Sequence, residues 1–510
     1  MFSKSFNGKK FEIPDRERTE EERALIKEIC KEQREKNKEI IVIQGLGFVG
    51  AVMATVISDC EINDRIPYFV LGVDLPSEQS YWKIPTINAG QSPFKVEDPE
   101  IELIFNRAVN VKKNLKATWV KESYAEADII IVDINLDVIK LDLGDSRKFE
   151  IQMDSFKAAI KDIGKNMNPK SLVLIESTIP PGTIEKIVLP LINECFRERS
   201  IDLIQNPPLI AHSYERVMPG ANYINSIKKI WRTFSAVNEI ASRKTRMFLS
   251  NIIDTKEFPL MELQHTRASE FGKILENSYR AMNIAFIYEW TLFAEDIGIN
   301  LFAVIDSIRV RKGTHDNMMY PGFGVGGYCL PKDTLLAEWA SKELYHRDKE
   351  LKFSLEAINV NDLMPHHTFE LLQKGMGGDL KSKRVAILGA SYRNDVGDTR
   401  NSPSIYLYDC IKYVGAYPII HDPYSNFIEG RDDIRITKSI NTTLKDAEGL
   451  VFTINHKQYV NISMNILTEN LSKNSCIIDA FDVLDDKKIL YLKQNGFKVL
   501  GVGKGHINNL

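Results

Sequence analysis

Paired cysteine is missing from this chain. Its six cysteines, Cys30, Cys60, Cys195, Cys329, Cys410 and Cys476, stand tens of residues apart, with no CxxC and no histidine pairing of the zinc kind. That argues against a disulfide scaffold, gives no metal-ligand spacing, and predicts free thiols in a reducing, cytoplasmic compartment. A large excess of either charge is also missing. A net charge of −3 supplies neither a nucleic-acid surface nor a polybasic membrane patch. Long apolar runs are nearly absent. The one charge-free stretch, "IIVIQGLGFVGAVMATVI" (Ile40 to Ile57), is at the lower edge of what spans a bilayer. Its central Gly-Leu-Gly reads instead as a turn between a buried strand and a packed helix, so no membrane partner is expected. Met1 to Lys38 is dense in charge and has no leader pattern. Tandem repeats and low-complexity tracts are absent. The rest is ordinary for a globular protein, 44% hydrophobic and 26% charged. A length of 510 residues suits about two to four domains.

The pattern divides the chain into a charged extension (1–38), a first alternating region (39–242), a helical connector (243–365) and a second alternating region (366–510). The extension reads as a solvated helix with Thr19 and Glu22 as a capping box. In the first region "EIIVIQ", "YFVLGVD", "ADIIIVDI" and "SLVLIEST" are continuous apolar strands separated by helical stretches. That is the signature of a parallel sheet covered on both faces. A helix is expected from about Thr266 to Asp296, and more helix to about Asp362. The second region offers "RVAILG", "AYPIIHD", "EGLVFTI", "CIIDA" and "FKVLGVG". The fold class is therefore α/β, with two doubly wound Rossmann-like domains joined by a long helical connector.

Three patterns carry chemistry. "GLGFVG" puts Gly45, Gly47 and Gly50 between a strand and a helix, with Asp74 ending the next strand. Such glycines admit a pyrophosphate to the helix N-terminus, and the aspartate takes the ribose hydroxyls, which favours NAD over NADP. Lys273 and Asn277 share one helix face, with Glu270 and Arg280 near the same line. The surrounding residues are mostly apolar, which turns the pair toward a cleft. In "PGFGVGGYCLPKD", Cys329 follows two glycines and precedes Asp333 by four residues. A thiol so placed suits a nucleophile, and the carboxylate suits a base toward water.

With "INAGQSPFKVEDPEI", "ESTIPPGT", "YERVMPG", "EFGKILENSYRAMNIAF", "AINVNDLMP", "GASYRNDVGDTRNSPS" and "HDP" in the same order, the chain resembles the nucleotide-sugar 6-dehydrogenases over roughly residues 39–505. These are the UDP-glucose and UDP-N-acetylhexosamine dehydrogenases. The resemblance implies oxidation of a sugar C6 alcohol to a carboxylate in two hydride transfers to NAD, through a thiohemiacetal and a thioester on Cys329. It implies that Lys273 assists proton removal with Asn277 as its partner, and that Asp333 and Thr178 position water. It implies that Glu215 lies near the sugar and the hydrolytic water. It places Gly45, Gly47, Phe48, Val49, Gly50, Asp74 and Thr178 at the cofactor. Glu215, Arg216, Lys273, Asn277, Tyr320, Gly326 and Arg400 fall at the nucleotide sugar. It also implies a homodimer or a multiple of one, built on the connector helix.

The chain departs from the family at "VDINLDV", where members carry a Val-Pro-Thr-Pro-like turn, so that Asn135 and its neighbours differ. Tyr328 stands where N-acetylhexosamine members often have histidine, and "CLPKD" is closer to the glucose type. Pro219 stands where glucose-type members have a second glutamate, and "ERVMPG" resembles the N-acetylhexosamine type, which is favoured. UDP-glucose oxidation, single-step hydroxyacid oxidation and non-catalytic nucleotide-sugar binding remain as alternatives.

Overall fold

The computed structural model describes residues 1–5, 8–94, 98–216, 220 and 222–510. They form two compact units. The first comprises Met1–Ile139, Ile151–Ile274 and Trp339–Asp348, and the second Lys140–Glu150, Leu275–Glu338 and Lys349–Leu510.

The first unit holds an eight-stranded sheet. Its strands are β1 (Glu39–Gln44), β2 (Tyr68–Val73), β3 (Leu115–Thr118), β4 (Ile129–Val132), β5 (Leu172–Ile175), β6 (Leu209–His212), β7 (Thr233–Ala236) and β8 (Met261–Glu262). They lie in the order β8-β7-β6-β5-β4-β1-β2-β3. Only the β6/β7 pair is antiparallel. The stretch β3-β2-β1-β4-β5-β6 is the doubly wound order, whose direction reverses between β1 and β4. The charge-free stretch is β1, the glycine turn and helix α2 (Phe48–Ser58), buried from Gly50 to Ser58. Among the described residues no helix is long and apolar enough to cross a membrane.

The four strands expected here form. Four more appear that the pattern did not give, because short segments such as "LKAT" and "TFSA" mix small and polar residues. The extension makes a hairpin, Phe2–Lys4 with Lys10–Glu12, then helix α1 (Arg16–Glu35). Its cap differs from the expected box. Asp15 is the N-cap and accepts from the Arg18 N–H at 3.0 Å. Thr19 lies inside the helix, its hydroxyl on the Asp15 carbonyl, and Glu22 pairs with Lys116 instead. An aspartate directly after Pro14 stops the chain entering the helix later, at Thr19. Helix α1 buries a narrow stripe of Ile26, Cys30 and Gln33.

The second unit carries six parallel strands: β9 (Arg384–Leu388), β10 (Tyr417–His421), β11 (Ile436–Thr437), β12 (Gly449–Phe452), β13 (Cys476–Asp479) and β14 (Lys498–Gly501). Their order is β11-β10-β9-β12-β13-β14. This repeats the first unit's winding and adds the two-residue β11 to the five expected strands. Helix α3 (Thr266–Asp296) runs from the first unit into the second at its predicted limits. The helix expected to end near Asp362 is α5 (Lys352–Gly375), which passes through Pro365. Proline costs one backbone hydrogen bond there. Burial of Leu355, Ile358, Met364, Phe369 and Leu372 keeps the helix going.

Candidate functional site

The glycine turn is built for close approach. Gly45 has φ +100°, and a side chain on it would collide with the Asp133 carbonyl. Gly50 presses on the Gly45 carbonyl. Gly47, by contrast, has nothing within 4 Å of where a Cβ would stand. Gly47 is also the N-cap of α2 and supplies no side-chain cap to its first turn. This arrangement fits a dinucleotide pyrophosphate, which would rest on that helix end. Phe48 stacks on Phe94 with centroids 4.2 Å apart, its carbonyl bonded by Tyr223, while Val49 is half-buried. Asp74 accepts from the Leu46 and Leu75 N–H groups at 3.2 and 2.8 Å and pairs with Lys83 at 3.1 Å. Lys83 opens a short helix, Lys83–Asn88. The sequence reading missed it, although a lysine just beyond the acid that ends β2 was a visible signal.

Buried charge collects at the far ends of β4, β5 and β6. Glu176 accepts from the Arg232 guanidinium at 2.6 Å, both side chains buried. Burial pushes the Glu176 carboxyl up to about 7 against the pull of Arg232. Lys273, 7% exposed, donates to the Glu215 carbonyl at 2.8 Å and lies 3.5 Å from its carboxylate. Thr178 follows on the loop after β5, half-buried. The guanidinium of Arg216 donates to the Trp231 carbonyl and the Tyr214 hydroxyl and covers the Tyr214 ring. Glu270, expected near the lysine's line, turns elsewhere. It accepts N–H groups of Gly182 and Ile184 and is fully buried, which raises its carboxyl to about 8. It therefore holds the turn after "EST" in place. Arg280 is exposed. Pro219, read above as a mark of substrate type, lies outside the described residues.

In the second unit the thiol stands at a helix start. The Cys329 carbonyl accepts the N–H groups of Lys332 and Asp333 at 3.1 and 2.9 Å, opening helix α4 (Asp333–Trp339). The fully buried Asp333 carboxylate takes Asn277 Nδ2 at 2.6 Å on one oxygen and Lys332 Nζ at 3.0 Å on the other. It bonds side chains rather than capping its own helix. Asn277 lies one turn beyond Lys273 on α3, as the i,i+4 spacing required. Lys332 was overlooked, although it stands within the quoted loop. It also covers the Tyr328 ring at 4.4 Å, and Arg400 covers the same ring at 5.7 Å.

The glycines before the thiol are crowded by protein. A side chain on Gly326 would collide with Tyr392 and come within 2.9 Å of the Asn401 carbonyl. Gly327, at φ +85°, bonds Arg400 and Asn401 through its backbone. Arg400 is forked onto Asp398, at 2.9 and 2.5 Å. Tyr320, partly exposed, donates to Asp306 at 2.6 Å and stacks on Phe302. Among the described residues no cluster of metal-ligating side chains occurs.

Three profiles of one family match in chain order. All are described as UDP-glucose/GDP-mannose dehydrogenase family: the NAD binding domain at residues 39–227, the central domain at 267–362 and the UDP binding domain at 386–486. The chain is 27% identical over 479 residues to the UDP-N-acetyl-D-mannosamine dehydrogenase of Methanococcus vannielii, covering 93% of this chain and 99% of that one. It is 29% identical to the enzyme of the same name from Methanocaldococcus jannaschii, covering 92% and 97%. A crystal structure of the NDP-N-acetyl-D-galactosaminuronic acid dehydrogenase from Methanosarcina mazei superposes with a TM-score of 0.75 at 26% identity, covering 95% and 98%. With NAD- and UDP-binding domains flanking the central one, the chain belongs to the UDP-glucose/GDP-mannose dehydrogenase family of NAD-dependent oxidoreductases.

Proposed function

We propose that this enzyme oxidises the C6 alcohol of a UDP-N-acetylhexosamine to the carboxylate. Two NAD⁺ and one water are consumed per sugar, and two NADH and three protons are released. The observation that carries this reading is the tie from Cys329 through Asp333 to Asn277. One helix start holds a thiol and a carboxylate, and the amide that fixes the carboxylate lies one turn from Lys273. Bound NAD⁺ supplies a hydride acceptor in each oxidation. Lys273 takes the proton of the C6 hydroxyl and stabilises negative charge on that oxygen. Cys329 adds to the aldehyde carbon, giving a thiohemiacetal whose oxidation leaves a thioester. Asp333 holds the water that displaces the sulfur, with Thr178 and Glu215 assisting. Gly45, Gly47, Phe48, Val49, Gly50 and Asp74 take the cofactor. Arg216, Tyr320, Gly326 and Arg400 serve the nucleotide sugar. The names of the relatives, and "ERVMPG" around Glu215, favour the N-acetylhexosamine over glucose.

Mass spectrometry of the intact protein tests the covalent route. Asp333→Asn, mixed with NAD⁺ and UDP-N-acetylmannosamine, is expected to slow turnover about 10²-fold or more and to accumulate a sugar adduct on Cys329. Cys329→Ser is expected to bind the UDP-sugar but form no acid. A Cys329→Ser enzyme that makes uronate at the wild-type rate would overturn the route. UDP-glucose turned over faster than every UDP-N-acetylhexosamine would overturn the substrate.

Homodimerisation belongs to the same reading. On α3, Leu275, Tyr279, Met282, Phe286, Trp290 and Phe293 are all exposed, at spacings of three and four residues. A continuous apolar stripe of this length is covered by another helix of its kind. Light scattering is expected to give twice 58.1 kDa or a multiple. A monomer at micromolar concentration would contradict it.

A further inference from the structure

The departure at "VDINLDV" places an acid where an anion is expected. Asp133 follows the last residue of β4, and Gly45 the last residue of β1. These two strand ends flank the point where the sheet order reverses, the crevice where doubly wound sheets take their ligand. The Asp133 carbonyl sits against Gly45, and its carboxyl lies against the first turn of α2, with Oδ2 3.1 Å from where a Gly50 Cβ would stand. That oxygen is shut off from solvent and has no hydrogen-bond partner.

The neighbouring acids are provided for and Asp133 is not. Glu176, at the end of β5, has Arg232 from the segment before β7. Glu215, after β6, has Lys273 from α3. Asp133 has no cation within ion-pair distance among the described residues. These groups also set its charge. Burial, then Glu176 and Glu215, push its carboxyl well above the usual range, and Arg232 only partly opposes them.

We propose that Asp133 must carry a proton for NAD to settle on the Gly45–Gly50 turn. A neutral carboxyl leaves the N-terminal field of α2 free for the pyrophosphate. An ionised Asp133 would fill that field with its own charge and repel the incoming phosphates. NAD affinity is then constant at low pH and falls as the free protein's Asp133 ionises. The loss is about tenfold per pH unit, and binding within that window takes up one proton. The inference rests on the proposed placement of NAD at this turn.

Isothermal titration of NAD⁺ and of ADP-ribose from pH 6 to 10, in buffers of different ionisation enthalpy, tests it. The wild type is expected to show the falling affinity and the proton uptake with both ligands. Asp133→Asn, nearly isosteric, is expected to show neither, and Asp133→Val supplies a second variant should the first fold poorly. Glu176→Gln is expected to keep the pH slope. A residue that only shaped the turn would change the Kd and leave the slope alone. A flat wild-type profile, or a slope that survives in Asp133→Asn and Asp133→Val, would overturn the proposal. So would a slope that disappears in Glu176→Gln, which would put the proton there. Failure of the wild type to bind NAD⁺ or ADP-ribose at any pH would overturn the placement itself.

Discussion

The six-stranded doubly wound stretch of the first sheet and the whole second sheet wind alike, but their switch points differ. In the first, the acid after the second strand, Asp74, has three donors and keeps 11% of its side chain exposed, beside a glycine, Gly47, that faces open space. In the second, the corresponding acid, Asp422, is fully buried. It takes Ala390 N, both Ser391 donors, Tyr424 N and Ser425 N at 2.8 to 3.0 Å, and His456 at 3.3 Å. There the turn glycine, Gly389, is hemmed in by Thr453 and Ile454. One winding thus gives an open cradle where the loop is Gly-Leu-Gly, and a self-filled turn where it is Gly-Ala-Ser. The first suits a dinucleotide. The second leaves its acid no capacity for a ribose, in keeping with a UDP-binding domain that holds its ligand by other residues.

Matched substitutions are expected to separate the two turns. Gly47→Val fills open space at φ −76°, so stability is expected to stay within about 0.5 kcal/mol while NAD⁺ affinity falls about 100-fold or more. Gly389→Val meets Thr453 Oγ1 at 2.6 Å from φ +124°, and is expected to cost several kcal/mol of stability with no selective loss of NAD⁺. Denaturant unfolding and calorimetric binding measure both. Equal effects of the two changes on NAD⁺ affinity would remove the distinction.

A smaller effect is expected on the acid side. Burial works against ionisation of Asp422, but the His456 bond and the backbone donors outweigh it and hold the carboxyl at about 2. A depressed folded value stabilises the protein above the unfolded value near 4. That contribution, about 2 kcal/mol, is lost as pH falls from about 4 to 2. Urea unfolding at pH 5 and pH 2.5 is expected to show this loss in the wild type and its absence in Asp422→Asn. The smallest effect belongs to the open turn. Asp74→Asn is expected to reduce the preference for NAD⁺ over NADP⁺ by about tenfold, read as a ratio of kcat/KM values. An unchanged ratio would remove Asp74 from the ribose.

Much of this was legible in the sequence, and the limits have physical causes. Apolar runs such as "EIIVIQ" and "RVAILG" declare strands buried on both faces, and Gly45-x-Gly47-x-x-Gly50 declares its own turn. Lys273 and Asn277 were found because helical spacing is local. Glu215 and Asp333 were named as well, but not as the groups these two bond, since Glu215 lies 58 residues from Lys273 and Asp333 lies 56 from Asn277. Glu270 was placed near the line of Lys273 and Asn277 because spacing gives only a rough face, and it is bonded instead by the backbone N–H groups of Gly182 and Ile184. The crowding of Gly326 by Tyr392 comes from a loop some 66 residues on, so the glycines announced a close approach without naming what approaches.

The account stands on two oxidations at one carbon, with the aldehyde held on Cys329 between them. Counting NADH formed per UDP-sugar consumed, with the aldehyde trapped by a carbonyl reagent in solution, tests this directly. The expected result is two NADH per sugar and no free aldehyde. One NADH per sugar with aldehyde released into solution would contradict it.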